Sequence, residues 1–204
     1  MSFNKYFKDI FCINLDQRKD RWEEACSEFD RVGLKDVERF SAVDGSKLEK
    51  PKFILPGELG ILESNLSLVR HAKENNLPHY LMLEDDVVFG PELKNLDKFM
   101  NNIPDDWDMI YFGGNHRYGS PPQVINETTL KLHYTVAIHC VAVKSTVYDV
   151  IESILPKHKK QVDNYYTMIQ KRFNVYCTNP SIAFQREGYS DIQGRVVNYD
   201  NLLK

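Results

Sequence analysis

His79-Tyr80-Leu81-Met82-Leu83-Glu84-Asp85-Asp86 is an apolar run that stops on three consecutive carboxylates. A short apolar run cut off by charge reads as a buried strand whose last residues leave the core. Working back, residues 57–76 carry Leu59, Leu62, Leu66, Val69 and Ala72 on one helical face, and Leu77-Pro78 breaks the pattern. Further back, residues 10–15 (IFCINL) form another apolar run. After them Trp22, Cys26, Phe29 and Val32 recur near helical spacing, with Asp16 as the expected N-cap and Gly33 as the stop. Residues 37–43 (VERFSAV) alternate and end at Asp44-Gly45, a turn pair. The order β-α-β-α-β predicts an α/β protein whose central sheet is mostly parallel and flanked by helices.

Working forward, we expect a helix over 91–101, a strand over 108–112 ending at Gly113-Gly114, and strands at 130–132 and 137–143. Helices at 144–155 and 163–172 and a last strand at 173–176 follow. No repeat, low-complexity tract or composition shift marks a linker, so residues 1–204 are read as one domain. The run Lys157-His158-Lys159-Lys160 reads as a solvated loop between helices.

Lys plus Arg number 26 and Asp plus Glu 29, a formal charge of −3 that offers no electrostatic drive toward nucleic acid. The apolar runs are far shorter than the roughly 18 residues of a membrane-spanning helix. The first nine residues lack the apolar stretch of a secretory signal, so a cytoplasmic protein is expected. Cys12, Cys26, Cys140 and Cys177 show no CxxC spacing and are read as reduced packing residues.

In open α/β sheets ligands bind beyond the carboxyl ends of strands, where Glu84, Asp85 and Asp86 should lie. Three carboxylates there repel one another unless a cation or an arginine compensates them. Hard oxygen donors suit Mg²⁺ or Mn²⁺, and a divalent metal is the economical reading, against a solvated acidic turn. Arg18 and Arg21 lie three apart at the start of the first helix, where the helix dipole also favours an anion such as a diphosphate. The competing reading is surface ion pairing with Asp16, Asp20, Glu23 and Glu24.

The series Ile13-Asn14-Leu15-Asp16-Gln17-Arg18-Lys19-Asp20-Arg21, Phe40-Ser41-Ala42-Val43-Asp44-Gly45 and Gly57-Glu58-Leu59-Gly60 resembles glycosyltransferase family 25. The likeness continues through Leu83-Glu84-Asp85-Asp86-Val87, Tyr111-Phe112-Gly113, Val162-Asp163, Gln185 and Ser190-Asp191-Ile192, nearly the whole chain. Lipooligosaccharide galactosyltransferases and collagen β-galactosyltransferases belong to that family. The chain departs from the pattern at Gly60-Ile61 and Ser64-Asn65, where the family usually has Gly-Cys and Ser-His. An Asn at 65 hydrogen-bonds but cannot be cationic.

The resemblance implies a single Rossmann-like domain of the A-type glycosyltransferase fold and a metal-dependent, inverting hexosyltransferase using a UDP-sugar donor. The sugar would be galactose, or else glucose or N-acetylglucosamine. Its acceptor would be a glycan, including a lipopolysaccharide core, or a hydroxylysine-type protein side chain, with peripheral membrane association if that acceptor is membrane-derived. Asp86, with Glu84 and Asp85, would hold Mn²⁺ or Mg²⁺ against the donor diphosphate. Asn14, Leu15, Arg18, Arg21, Asp44, Gly45, Ser64 and Asn65 would contact the nucleotide sugar. Gln185 and Ser190 would meet the acceptor, and Asp163 or Asp191 would act as base. Asp44-Gly45 could equally be only a turn, and Glu58 only a helix cap. A phosphoacceptor receiver domain is disfavoured because its acids follow the first strand. A nucleotidyltransferase is disfavoured because no glycine-rich loop is present. A non-catalytic sugar-nucleotide or glycan-binding module of the same fold is the principal alternative.

Overall fold

The structure is a computed structural model that describes residues 2–49, 51–52, 54–116, 120–190 and 195–197. In chain order its elements are β1 (Ile10–Asn14), α1 (Lys19–Val32), β2 (Val37–Ser41), α2 (Pro56–Glu74), β3 (His79–Glu84), β4 (Val87–Phe89), α3 (Leu96–Asn102) and β5 (Met109–Tyr111). They continue as β6 (Asn115–His116), β7 (Gln123–Asn126), β8 (Thr129–Lys131), β9 (Thr135–Val136), β10 (Cys140–Lys144), α4 (Tyr148–Ile154) and α5 (Val162–Gln170). The last are β11 (Val175–Thr178), β12 (Ala183–Gln185), β13 (Gly188–Ser190) and β14 (Arg195–Val197).

Eight strands form the central sheet in the order β2-β1-β3-β10-β5-β11-β8-β7. The β2-β1-β3 half is parallel, as the β-α-β-α-β pattern requires. β10 and β8 run against the other six strands, so the sheet is mixed and its direction predominantly one-way. The expected strand over 137–143 begins later, at Cys140, because Ala137 takes a left-handed φ of 72° that interrupts extended backbone.

Side chains alternate across the sheet. Phe11, Ile13, Tyr80, Met82, Val141 and Val143 face one core, which Leu62, Leu66 and Val69 of α2 and Ile151, Tyr166 and Ile169 of α4 and α5 close. Ile10, Cys12, Leu81, Leu83, Cys140 and Ala142 face the other, covered by Ala25 and Phe29 of α1 and Leu96 and Phe99 of α3. Burying one such aliphatic or aromatic side chain contributes roughly 1.5–3 kcal/mol. Strands buried on both faces therefore need the near-continuous apolar runs seen in β1 and β3. The four cysteines are unpaired thiols and three are buried. Among the described residues no helix is long and apolar enough to cross a membrane.

The cap of α1 differs from expectation. Arg18 occupies the N-cap and its side chain makes no capping hydrogen bond to the helix, while the Asp16 carboxylate accepts from Arg39 Nη2 and Ser41 Oγ, each at 2.8 Å. Asp16 thus ties the end of β1 to β2. Gly33 closes the helix in the left-handed conformation, φ 70°, as its position predicts. Glu58 caps α2, its carboxylate accepting from the Leu55 N–H at 3.0 Å.

Candidate active site

Parallel pairing of β1 with β2 and β3 brings their carboxyl ends to one edge, with Ile13 opposite both Phe40 and Glu84. A cleft of about 280 Å³ opens there. Of the residues singled out from the sequence, Asn14, Leu15, Arg21, Asp44, Gly45, Ser64, Glu84, Asp85, Asp86, Gln185 and Ser190 line it. The chain between Asp86 and Val87 turns so that β4 leaves the main sheet and pairs with β12, Val87 opposite Gln185. That pairing carries Gln185 across 101 residues to donate its amide to Glu84 Oε2 at 3.3 Å.

The acidic turn is compensated from within the chain. Arg21 Nη2 lies 2.6 Å from Asp85 Oδ1 and 3.0 Å from Asp86 Oδ2, with all three side chains mostly buried. Asn14 Nδ2 donates to Asp85 Oδ2 at 2.7 Å and to the Arg18 carbonyl at 3.1 Å, while its Oδ1 accepts from Arg39 Nε at 2.9 Å. Burial still outweighs these partners at Asp85, whose carboxyl is pushed up to about 6. Burial and the neighbouring Asp86, Asp163 and Asp85 charges raise the Glu84 carboxyl well above the ordinary carboxylate range. Burial opposes the Arg21 charge, but Asp86 and Asp85 overcome it and hold the guanidinium more firmly protonated than usual.

Among the described residues no group of three His, Cys, Asp or Glu side chains forms a ready metal cage. The acidic turn offers a smaller donor set: Asp86 Oδ1 is buried without a hydrogen-bond partner. Mg²⁺ and Mn²⁺ at diphosphate sites take one or two carboxylates and fill the remaining positions with phosphate oxygens and water. The residues present fit a cation that arrives with a diphosphate.

The opposite wall is set by glycine. A Cβ on Gly45 would lie 1.9 Å from the Pro56 carbonyl oxygen and 2.6 Å from the Gly60 N, and one on Gly60 would lie 2.6 Å from the Val43 carbonyl oxygen. The Asp44-Gly45 turn therefore packs directly on the first turn of α2. Ser64 secures the contact, accepting from the Val43 N–H at 2.8 Å and donating to the Gly60 carbonyl at 2.6 Å. Asp44 is committed to the turn as well: its Oδ1 accepts from the Ser46 N–H and hydroxyl at 3.1 and 2.6 Å. Asp44-Gly45 is a turn, as one reading had it, and that turn forms a wall of the cleft.

The remaining candidates lie elsewhere. Asn65 points into the core, donating to the Ile61 carbonyl at 2.8 Å and accepting from the buried Tyr166 hydroxyl at 3.0 Å. Arg18 forms a two-point pair with Asp20 at 3.0 and 2.9 Å and borders a neighbouring cleft. Asp163 opens α5 and accepts from the Ala137 N–H at 3.2 Å; it raises the Glu84 carboxyl but does not line the main cleft. Asp191 lies outside the described residues. Sequence reasoning missed Arg39, which orients Asn14, and Arg186, whose N–H donates to the Asp86 carbonyl at 2.7 Å. No local pattern points to either, because both act across long separations.

The family model for glycosyltransferase family 25 (LPS biosynthesis protein) matches residues 7–189. A glycosyltransferase 25 family member of Aedes aegypti is 33% identical over 129 residues, covering 51% of this chain and 21% of that protein. The human procollagen galactosyltransferase 2 is 32% identical over 130 residues, covering 52% of this chain and 21% of that protein. The matched region thus amounts to about a fifth of these relatives. A crystal structure of a glycosyltransferase involved in glycosylation of the major capsid of PBCV-1 aligns with 80% of this chain and 74% of its own, at a TM-score of 0.43 and 12% identity. With the model match running from the start of the first strand through the acidic turn to β13, the chain belongs to glycosyltransferase family 25.

Proposed function

We propose that this chain transfers a hexose, galactose first among the candidates, from a UDP-sugar to a hydroxyl of a glycan or hydroxylysine-type acceptor, with inversion and with Mn²⁺ or Mg²⁺ as cofactor. The observation that carries the reading is one cleft in which a compensated acidic turn faces a glycine-tight wall at the carboxyl edge of the sheet. Such a cleft suits a nucleoside diphosphate: the Asp44-Gly45 wall takes the base and ribose, and the acidic turn lies where the diphosphate would reach.

A bound divalent cation supplies Lewis acidity to the departing diphosphate. The chain's own residues do the rest. Asp86 presents the unpartnered oxygen that would hold the cation. Arg21 keeps a positive charge beside the leaving group, stabilising negative charge as it develops. Gln185 and Ser190 offer neutral hydrogen-bonding groups toward the sugars. The proton of the attacking hydroxyl passes to a carboxylate, Asp163 or Asp191, distinguished by which Asn variant keeps donor hydrolysis while losing transfer.

The test is a thermal-shift and sugar-release panel of uridine, guanosine and cytidine diphosphate sugars, with and without Mn²⁺, on the native chain and Asp86→Ala. Mn²⁺-dependent stabilisation by uridine nucleotides, lost in Asp86→Ala, together with slow sugar release, supports the transferase. Binding without release in the presence of acceptor points to a non-catalytic sugar-nucleotide module instead.

A further inference from the structure

Two turns beyond Arg21, on the same face of α1, stands Glu28. Its side chain is 8% exposed, and its carboxylate accepts from the Phe89 N–H at 2.6 Å and from Arg31 Nε and Nη2 at 2.7 and 2.5 Å. Arg31 Nη2 also donates to the Phe89 carbonyl at 2.7 Å. One side-chain ion pair thus takes both main-chain groups of Phe89. Among the described residues β4 pairs with β12 alone, so Glu28 and Arg31 serve its other edge as a neighbouring strand would. An apolar side chain at 28 would leave the Phe89 N–H without that partner.

The tie has a register. From Arg21 to Glu28 the helix rises about 10.5 Å, and from Asp86 to Phe89 extended chain advances about 10 Å. Helix and strand run the same way at matched lengths. Arg21 joins them at Asp85 and Asp86, and Glu28 with Arg31 joins them again at Phe89. Between these points Glu24 accepts from Arg186 Nη1 at 2.6 Å, just past the end of β12. Arg21, Glu24, Glu28 and Arg31, spaced three, four and three, form a charged stripe where α1 meets the ribbon of β4 and β12. That ribbon brings Gln185 to Glu84, so whatever fixes it also fixes a wall of the main cleft. A contact at Arg21 alone leaves the helix free to pivot about the acidic turn. A second contact two turns away removes the pivot.

We propose that Glu28 and Arg31 are positioning residues for the donor diphosphate: acting through α1 and β4, they hold Arg21 and Asp86 in the relative placement that the diphosphate and its cation use. Neither residue lines the cleft. The proposal rests on the reading of that cleft as the UDP-sugar site.

The experiment is calorimetric titration with UDP in the presence of Mn²⁺, with a thermal melt of each protein. It compares the native chain with Glu28→Ala, Glu28→Gln, Arg31→Ala and Val143→Ala. Glu28→Gln keeps an oxygen for the Phe89 N–H. Val143→Ala opens the core beside Tyr80, at the end of the sheet away from the cleft, and controls for lost stability. The expected losses of UDP affinity are about tenfold in Glu28→Ala and about threefold in Arg31→Ala, with Glu28→Gln and Val143→Ala within about twofold of native, the scale set by outer partners of metal-site side chains. Should Glu28→Ala fail to fold, Arg31→Ala decides the matter, its side chain being 56% exposed. Affinities in Glu28→Ala and Arg31→Ala as close to native as that of Val143→Ala overturn the proposal. So does a Glu28→Gln as weak as Glu28→Ala, because the Phe89 tie would then not be what matters. A native chain that melts cooperatively and binds no uridine nucleotide overturns the donor reading itself, and the proposal falls with it.

Discussion

Arg21 Nη2 sits 2.6 Å from Asp85 Oδ1, joining the first turn of α1 to the residue that follows β3. The same nitrogen reaches Asp86 at 3.0 Å, so one guanidinium neutralises much of the turn that the sequence left with three adjacent acids. Unit charges about 4 Å apart interact by about 4 kcal/mol at an effective dielectric of 20. Two attractions at closer range therefore exceed the repulsion between the carboxylates they bridge. The acidic turn can fold before any cation arrives.

Removing that bridge strands two mostly buried carboxylates. Arg21→Ala should cost about 3 kcal/mol at pH 7, the scale for breaking a buried pair from one side. The cost should shrink near pH 4.5, where Asp85 takes up a proton. Urea unfolding at the two pH values checks this, and an equal loss at both would refute the electrostatic account.

Asp85 makes stability depend on pH in its own right. Its carboxyl is raised from 3.8 to about 6 in the folded chain. The unfolded chain therefore loses the proton first, and the contribution present below pH 4 is lost as pH rises through 6. The change is on the order of 3 kcal/mol across that window, in the absence of divalent metal. Asp85→Asn should flatten this part of the stability curve; a profile identical to the native one counts against the shift.

Gly45→Ala should be more damaging than Gly33→Ala. The first puts a methyl 1.9 Å from the Pro56 carbonyl oxygen and must push the start of α2 aside, whereas the second meets nothing within 4 Å and bears only the left-handed φ of 70°. Costs of about 3 kcal/mol or more against about 1–2 kcal/mol are expected. Only Gly45→Ala should also weaken UDP binding. Comparable denaturation midpoints for the two variants would argue against the close contact.

Asn14 and Asn65 should separate in function. Asn14→Ala removes one hydrogen-bond partner from Asp85 at the cleft and one from Arg39 behind it, so UDP affinity should fall along with about 2 kcal/mol of stability. Asn65→Ala leaves the Tyr166 hydroxyl unpaired in the core, costing about 1–3 kcal/mol with UDP affinity within twofold. Calorimetric titration with UDP distinguishes them, and a large affinity loss in Asn65→Ala would return that residue to the binding site.

Much of the fold was legible locally. The apolar runs of β1 and β3, the face of α2 and the Gly33 stop each follow from side chains near in sequence, whose burial or backbone freedom is decided by a few neighbours. The departures have equally local causes once seen. The 91–101 helix begins as a 3-10 turn over Pro91–Asn95 before the α-helix from Leu96, and the 137–143 strand is cut by the φ of Ala137. Short strands such as β4 and β12 escaped notice because three residues carry too little periodicity to read.

What the sequence by itself determined was the carboxyl-edge position of the acidic triplet, the turn and stop glycines and the β-α-β-α-β succession that makes part of the sheet parallel. Alternation and turn chemistry operate within a few residues. Only the tertiary structure decided which charge answers which. It set Arg21 rather than Arg18 against Asp85, turned Asn65 to Tyr166 instead of the cleft, and slid β10 antiparallel between β3 and β5. It also brought Gln185 to Glu84 and Arg186 to Glu24. Those choices join residues up to 162 positions apart. Strand pairing and helix packing settle them through the burial of whole faces, and no neighbouring residue in the chain records the outcome.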